Sequence, residues 1–270
     1  MSARHPVDDV LFVFAHQDDE VVAYTRIMYE HRRGNRVWCA YLTDGALAVP
    51  ASVRDAESLA ALRRIGVEAN RIAFIGDADG RIADGQLMRS LARARAALAA
   101  WITSIGARIA RAYTLDWEGG HADHDAAHLV TLAVARDHEI EGSVWGFAAY
   151  NAYGRRGKWF RVGDFVPRDA PIARRRLSLS EAFDAAFAFA AYPSQRRTWI
   201  VLGPGWAVRM LIRREERSRR ADSRQLERPH AGPLLYETLF GQDAEEMLRH
   251  SHALRRELAS AVPQRLDPAQ

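Results

Sequence analysis

Val10-Leu11-Phe12-Val13-Phe14-Ala15-His16-Gln17-Asp18-Asp19-Glu20 is an apolar, β-branched and aromatic run that stops at one histidine and three acidic side chains. Unbroken apolarity of this length suits a strand covered on both faces. The polar cluster then lies just past the strand's C-terminal end, where open α/β sheets bind their ligands. A buried strand that delivers imidazole and carboxylates to one edge can build a metal site.

The neighbouring sequence repeats the same rhythm. Glu20–Arg33 reads as a helix, with Val21, Tyr24, Ile27 and Met28 on one face and Gly34 as its stop. A second strand is expected at about Arg36–Thr43, ending in the Asp44-Gly45 turn. A small apolar loop, Ala46–Ser52, leads into a helix over Val53–Ile65, where Arg54 and Glu57 face the same way. A third strand at Arg71–Ile75, a Gly/Asp-rich loop at Gly76–Gly85 and a long helix at Leu87–Ser104 follow. A fourth strand falls within Ala107–Thr114, and another at Ser143–Tyr150. The expected fold is α/β: a Rossmann-like, mostly parallel sheet with helices on both faces.

A second polar cluster lies between these last two strands: Glu118-Gly119-Gly120-His121-Ala122-Asp123-His124-Asp125-Ala126-Ala127-His128, opening a helix that runs to His138. Beyond Tyr150 the rhythm changes. Tyr150–Phe160 is basic and aromatic, suited either to a solvated loop or to a sugar-stacking rim. Arg174–Leu179 suits a short edge strand, its arginines a solvated face, and Ser180–Ala191 a short apolar helix. Arg196–Arg214 reads as a helix interrupted at Gly203-Pro204-Gly205. Arg213–Arg224 reads as an exposed charged run, Asp243–Ser260 as a helix, and Pro263–Gln270 as a frayed end. The expectation is a single domain, 1–270. Residues 1–150 form its catalytic core, and 151–270 form a substrate-site wall and a cap-like helical extension.

Composition narrows the function classes. With 48% hydrophobic and 27% charged residues over 270 positions, the chain can bury a large core. The single cysteine, Cys39, rules out an internal disulfide framework and suits a buried small hydrophobe. No apolar run approaches the ~20 residues of a membrane span. Met1–Asp9 lacks a signal-peptide pattern, so a cytoplasmic location is the default expectation. The net charge of +4, almost all arginine, admits an anionic substrate. It is also the only motive for a nucleic-acid-binding reading, which lacks a module for groove reading or base stacking. A dinucleotide dehydrogenase would need phosphate-binding glycines where His16-Gln17-Asp18-Asp19 stands.

The chemistry concentrates in the two clusters. His16 and Asp19, separated by two residues, can address one point, and His124 can supply a third ligand and leave a position open. Such a set suits Zn2+ and equally Fe2+, Mn2+ or Co2+. Asp18 is a candidate general base on a metal-activated water. His121 could donate to an oxyanion, or protonate a leaving amine if cationic, and Asp123 could hold its other ring nitrogen.

Ala15-His16-Gln17-Asp18-Asp19-Glu20 and Gly120-His121-Ala122-Asp123-His124 together resemble the paired signatures of the PIG-L/LmbE family of zinc-dependent N-deacetylases. The resemblance runs through most of residues 9–150, including Thr43-Asp44-Gly45 and the Arg54–Glu57 helix, and more loosely to Tyr192–Gln195. It implies a Rossmann-like core without dinucleotide binding. It also implies His16, Asp19 and His124 as zinc ligands, Asp18 as base, His121 as electrophile or acid, and Asp123 as its orienter. Arg54 and Gln195 become candidates for substrate contact. Gln17 and Ala122 stand where the family usually has proline, which changes loop stiffness more than chemistry. Gly119 stands where some members carry a tyrosine. The implied reaction is removal of the N-acetyl group from an N-acetylglucosamine-type sugar or glycoconjugate. The alternative is amide hydrolysis on a natural-product or thiol-sugar conjugate. The expected partner is that substrate alone, with neither nucleic acid nor membrane span, and the oligomeric state is left open.

Overall fold

In the computed structural model residues 7–78 and 81–260 are described; the frayed end expected at 263–270 and the start of the chain lie outside them. Five strands run parallel: β1 (Asp9–Phe14), β2 (Arg36–Tyr41), β3 (Ile72–Phe74), β4 (Ile109–Leu115) and β5 (Val144–Phe147). Helices α1 (Tyr24–Arg32), α2 (Ala51–Arg64), α3 (Leu91–Ser104) and α4 (Ala122–Asp137) connect them in turn. Every residue of β1 is buried. Leu11, Val13 and Ala15 join one core with Leu98, Leu129 and Val130, while Val10, Phe12 and Phe14 join another with Ile27 and Leu62. The unbroken apolar run is therefore a strand packed on both faces, as its sequence demands.

The five parallel strands stand in the order β3-β2-β1-β4-β5. The chain winds outward from β1 in one direction, then restarts beside it with β4 and winds in the other. Loops leaving β1 and β4 therefore diverge, and a crevice opens at their C-terminal ends. The two polar clusters, residues 16–20 and 118–128, follow those two strands.

The second half does more than wall the site. The hairpin-like pair β6 (Tyr150–Asn151) and β7 (Arg161–Val162) folds over the mouth, and the main sheet continues from β5 into β9 (Glu215–Arg220), antiparallel to it, and then into β8 (Ile172–Arg176), antiparallel to β9. Helices α5 (Leu179–Phe187), α6 (Arg196–Arg213), α7 (Leu235–Phe240) and α8 (Ala244–Ser260) complete a cap-like extension. None of the described helices is long and apolar enough to cross a membrane.

Two expectations are corrected. Arg213–Arg224 is not an exposed run: it contains β9, where Glu216, Ser218 and Arg219 are buried. Burial of these charges is tolerated because each is paired. Arg219 bonds the Asp116 carboxylate, and Glu216 accepts from Thr25, Arg26 and Arg175. Among the described arginines Arg54, Arg209 and Arg219 are buried. Nor does Gly203-Pro204-Gly205 interrupt α6, which continues through Pro204. The glycines let α6 lie against Phe189 and Val162, and that packing outweighs the one backbone bond a helical proline forfeits. At β8, the expected edge strand, Arg174 is solvated while Arg175 turns inward to Glu181 and Glu216.

Candidate active site

The turn after β1 is tight and unusual. Asp18 has φ 104°, in the left-handed region that asparagine and aspartate enter more readily than other side chains. Buried Glu20 supports it, accepting the Asp18 N–H at 2.8 Å and the Tyr41 hydroxyl at 2.5 Å. Asp19 closes the turn on itself by accepting the His16 N–H at 2.7 Å. Gln17 points away from the site and donates to Asp55 on α2 at 2.6 Å, a side-chain tether that holds the turn. Gly45 is needed opposite: a Cβ there would meet Gln17 Oε1 at 2.1 Å, and its φ is +57°.

The second cluster is framed by buried acids. Asp125 accepts from the Glu118 and Gly119 amides, and Glu118 accepts from the amides of Ala149 and Tyr150 at 2.8 and 2.9 Å. This brings the start of β6 against Gly120, where a Cβ would strike the Tyr150 carbonyl at 1.9 Å. Tyr150 thereby enters the site, its ring 5.4 Å from that of His124, while Arg155, Arg156, Lys158 and Trp159 turn to solvent. The aromatic loop is thus divided between the two readings its sequence allowed. His121 caps α4, its Nδ1 accepting the Asp123 N–H at 3.2 Å, and its ring edge meets His16 at 4.8 Å between centroids.

Asp19 stands between two imidazoles: its Oδ1 is 3.0 Å from His124 Nε2 and its Oδ2 is 3.6 Å from His16 Nδ1. Among the described residues, two groups of three have ligand atoms all within 4.8 Å of one another: His16, His121 and His124, and His16, Asp84 and Asp123. The sequence reading did not include Asp84. The Asp44 carboxylate draws it in, accepting the amides of Ala46 and Asp84 at 2.9 Å and bonding Arg81. Asp84 then meets His16 Nε2 at 3.3 Å and Arg54 at 3.7 Å.

Asp123 is oriented differently from the expectation. Its carboxylate does not serve as the ring partner of His121. It takes His16 Nε2 at 3.2 Å and the amides of Gly85 and Leu87 at 2.6 and 3.0 Å. The helix start fixes this: the capping bond uses the backbone N–H of Asp123 and leaves its carboxylate free to reach across to the β1 tip. Asp123 thus orients one face of His16 and leaves Nδ1 for the Asp19 side. Arg54 is also more committed than a substrate contact alone would require. It donates to the carbonyls of Gly45 and Gln17 and to Asp18 Oδ1, the last at 2.9 Å. Gln195 lines the cavity near Trp199, with its amide on Ser194 Oγ.

The electrostatics separate the two adjacent aspartates. Burial pushes Asp18 up to about 7; Arg54 opposes this, and Asp19 and Glu20 reinforce it. Burial would raise Asp19 too, but His124 and His16 outweigh it and hold its carboxyl well below the usual range. His16 is held high despite burial by Asp84, Asp123 and Asp19. Burial, with His16 and His124 nearby, pushes His121 down to about 3 and keeps it neutral. With Nδ1 accepting, its proton sits on Nε2. His128 is also kept neutral by burial, bonded to the Leu115 carbonyl, and is structural. Cys39 is a buried thiol raised by its apolar surroundings.

These residues line a cavity of about 370 Å³, with the imidazoles and carboxylates at its floor and Trp199, Leu202, Trp206 and Phe240 on its walls. Phe240, from the end of α7, packs on the His121 ring at 4.9 Å. A larger cleft of about 880 Å³ between β9 and α8 shares no residue with the cluster. The floor can hold a divalent metal ion. The donor set is nitrogen and carboxylate oxygen, the protons that now link it are those a metal displaces, and His124 Nδ1 is buried without a hydrogen-bond partner.

The comparisons with known proteins agree. Residues 11–135 match the profile of the PIG-L family, described as GlcNAc-PI de-N-acetylase. No curated protein sequence matches the chain significantly. Solved structures share the fold at low identity. The A40926 pseudoaglycone deacetylase Dbv21 is 17% identical, covering 83% of this chain and 98% of its own, with TM-score 0.57. A deacetylase of teicoplanin biosynthesis is 14% identical, covering 79% and 99%, with TM-score 0.58. The N,N'-diacetylchitobiose deacetylase of Pyrococcus horikoshii is 17% identical, covering 78% and 83%, with TM-score 0.52. With the signature residues converging at one switch-point cavity, residues 11–135 of this chain form a core of the PIG-L/LmbE-like deacetylase family of metal-associated hydrolases.

Proposed function

We propose that the protein removes the acetyl group from the acetamido sugar of a larger conjugate, of the natural-product kind, releasing acetate and the free amine. The observation that carries this reading is one cavity in which Asp18 stands beside the His16, His121 and His124 cluster while the opposite walls are aromatic and aliphatic. A small sugar would use the floor alone; a sugar bearing an apolar aglycone uses both. The likeness to the A40926 pseudoaglycone deacetylase and to the deacetylase of teicoplanin biosynthesis supports the same choice. A second reading, hydrolysis of a simple N-acetylglucosamine unit or short oligomer, is favoured by the likeness to the diacetylchitobiose enzyme.

His16, Asp19 and His124 would hold the metal, zinc being the first choice for this donor set. When bound, the metal supplies Lewis acidity toward the amide carbonyl and makes water easier to deprotonate. Asp18 takes the proton of the attacking water and returns it to the departing nitrogen. His121, neutral and with its proton on Nε2, donates a hydrogen bond to the developing oxyanion. Asp123 and Asp84 keep His16 turned toward Asp19. Tyr150, Gln195 and the apolar walls orient the sugar and what it carries.

The test is acetate release by zinc-reconstituted protein from three substrates: N-acetylglucosamine, N,N'-diacetylchitobiose and para-nitrophenyl N-acetyl-β-glucosaminide. The expected order of kcat/KM places the aryl glycoside first. Faster turnover of the free sugar would favour the second reading, and no acetate from any of them, with metal bound, would defeat both.

A further inference from the structure

We infer that Trp199 is a positioning residue for Asp18, supplied by a helix outside the 11–135 region that carries the family signatures. The inference rests on the deacetylase reading and assigns it a component that the signatures lack. Trp199 Nε1 donates to Asp18 Oδ2 at 3.1 Å, and both side chains are buried. Arg54 holds the other oxygen, Oδ1, at 2.9 Å. Two donors on two oxygens fix the plane of a carboxylate, whereas one donor lets it swing. For a group that must meet a water and then a departing nitrogen, that plane decides whether either proton transfer is in reach.

Both donors are fixed from one helical turn. On α2, Arg54 reaches Asp18 directly, and Glu57, one turn further along the same face, accepts the Ser194 amide at 2.8 Å and its hydroxyl at 2.6 Å. That tie sets the start of α6, with Trp199 in its first turn. The indole plane is set by stacking on Phe189, with centroids 5.4 Å apart and 14° between the rings. Phe189 in turn lies where a side chain at position 203 would be, a Cβ there meeting its ring at 3.1 Å. Trp199 also borders two spaces, the reaction cavity and an apolar groove lined by Phe187, Pro193 and Ile200.

Trp199→Phe keeps an aromatic ring for Phe189 and removes the N–H donor together with part of the indole's volume. With para-nitrophenyl N-acetyl-β-glucosaminide as probe, kcat should fall roughly tenfold to a hundredfold, the range for a hydrogen bond to a charged group, with KM within about twofold. Zinc content and melting temperature should stay as in the wild type. Independently of turnover, the Trp199 indole N–H should resist hydrogen exchange in the 15N spectrum and lose that protection in Asp18→Ala. Should Trp199→Phe fail to fold, Phe189→Leu, which frees the indole plane, should lower kcat in the same direction by a smaller factor. An unchanged kcat, or kcat, KM and melting temperature all moving together, would overturn the inference while leaving the deacetylase reading intact. No acetate from the wild type would bring down that reading and the inference with it.

Discussion

The floor of the cavity and its wall are held by different forces. The floor is two strand tips whose charged side chains bond one another and the backbone: Asp19 between His16 and His124, Asp123 on His16, Arg54 on Asp18. The wall is α6 and α7, presenting Leu202, Trp206 and Phe240; Trp199 stands in the same wall but belongs to the floor through its bond to Asp18. Directional bonds in a low-dielectric setting fail when one partner is lost, because the other is left buried and unpaired. Apolar contacts are non-directional, and a neighbour of similar size takes over most of the area. The floor should therefore tolerate almost no change in chemistry, and the wall should tolerate changes of chemistry at the expense of fit.

The sharpest way to break this contrast is Asp18→Asn. It is nearly isosteric and keeps one acceptor oxygen, enough for Arg54 or Trp199 but not for both, and it removes the proposed base. Turnover should fall by about 10²–10⁴-fold, with zinc retained at the wild-type ratio. Loss of metal in this variant, measured by elemental analysis, would mean that Asp18 and Asp19 do not divide the roles. The next effect separates two histidines three residues apart. His124→Ala should lose most of its zinc. His121→Ala should keep it and lose about 10²–10³-fold in kcat, the scale of an oxyanion donor. If His121→Ala also empties the site, the trio of imidazoles, not His16, Asp19 and His124, is the ligand set.

How legible each region was follows from the same contrast. The floor could be read because its residues are neighbours in sequence. His16, Asp18 and Asp19 end one apolar strand, and His121 and His124 open the helix after another, so spacing carries the geometry. The parallel sheet was legible for a like reason: period and turn residues are local signals. Asp84 was not legible, since the Gly/Asp-rich loop offers several equivalent aspartates and only the bonds from Asp44 select one. The orientation of Asp123 depends on which of its groups caps α4, a choice made by backbone geometry. Trp199 and Asp18 are 181 positions apart, and Phe240 meets His121 across a still different set of elements. No periodicity records such meetings. The burial of β9 escaped notice because its charges are compensated by Asp116, Thr25 and Arg175, each on another element.

On the wall, Leu202→Ala should act on fit alone. Leu202 lines the cavity without a polar contact, so its truncation removes uniform binding. For the aryl glycoside KM should rise about threefold to tenfold with kcat nearly unchanged. For free N-acetylglucosamine the change should be smaller, since that sugar reaches the floor only. An equal loss for both substrates would place the aglycone elsewhere and weaken the reading that the wall selects conjugates.

The smallest effect probes what ties wall to sheet. Asp164 accepts from Arg209 on α6 at 2.6 Å and from Arg217 on β9 at 2.7 Å. Burial alone would raise its carboxyl, but the two arginines outweigh burial and lower it below the ordinary range. A carboxyl whose folded pKa is depressed stabilises the fold above its unfolded pKa and loses that contribution as pH falls through the folded value. The site is part-exposed, so solvent screens it and the contribution is modest. Asp164→Asn should lower the melting temperature by about 1–3 °C at neutral pH, and the gap to wild type should narrow as pH falls below about 4. Zinc content should not move, because the floor does not rest on this tie. If Asp164→Asn changed metal retention as well, floor and wall would be one cooperative unit, and the division argued from their different forces would fail at its weakest joint.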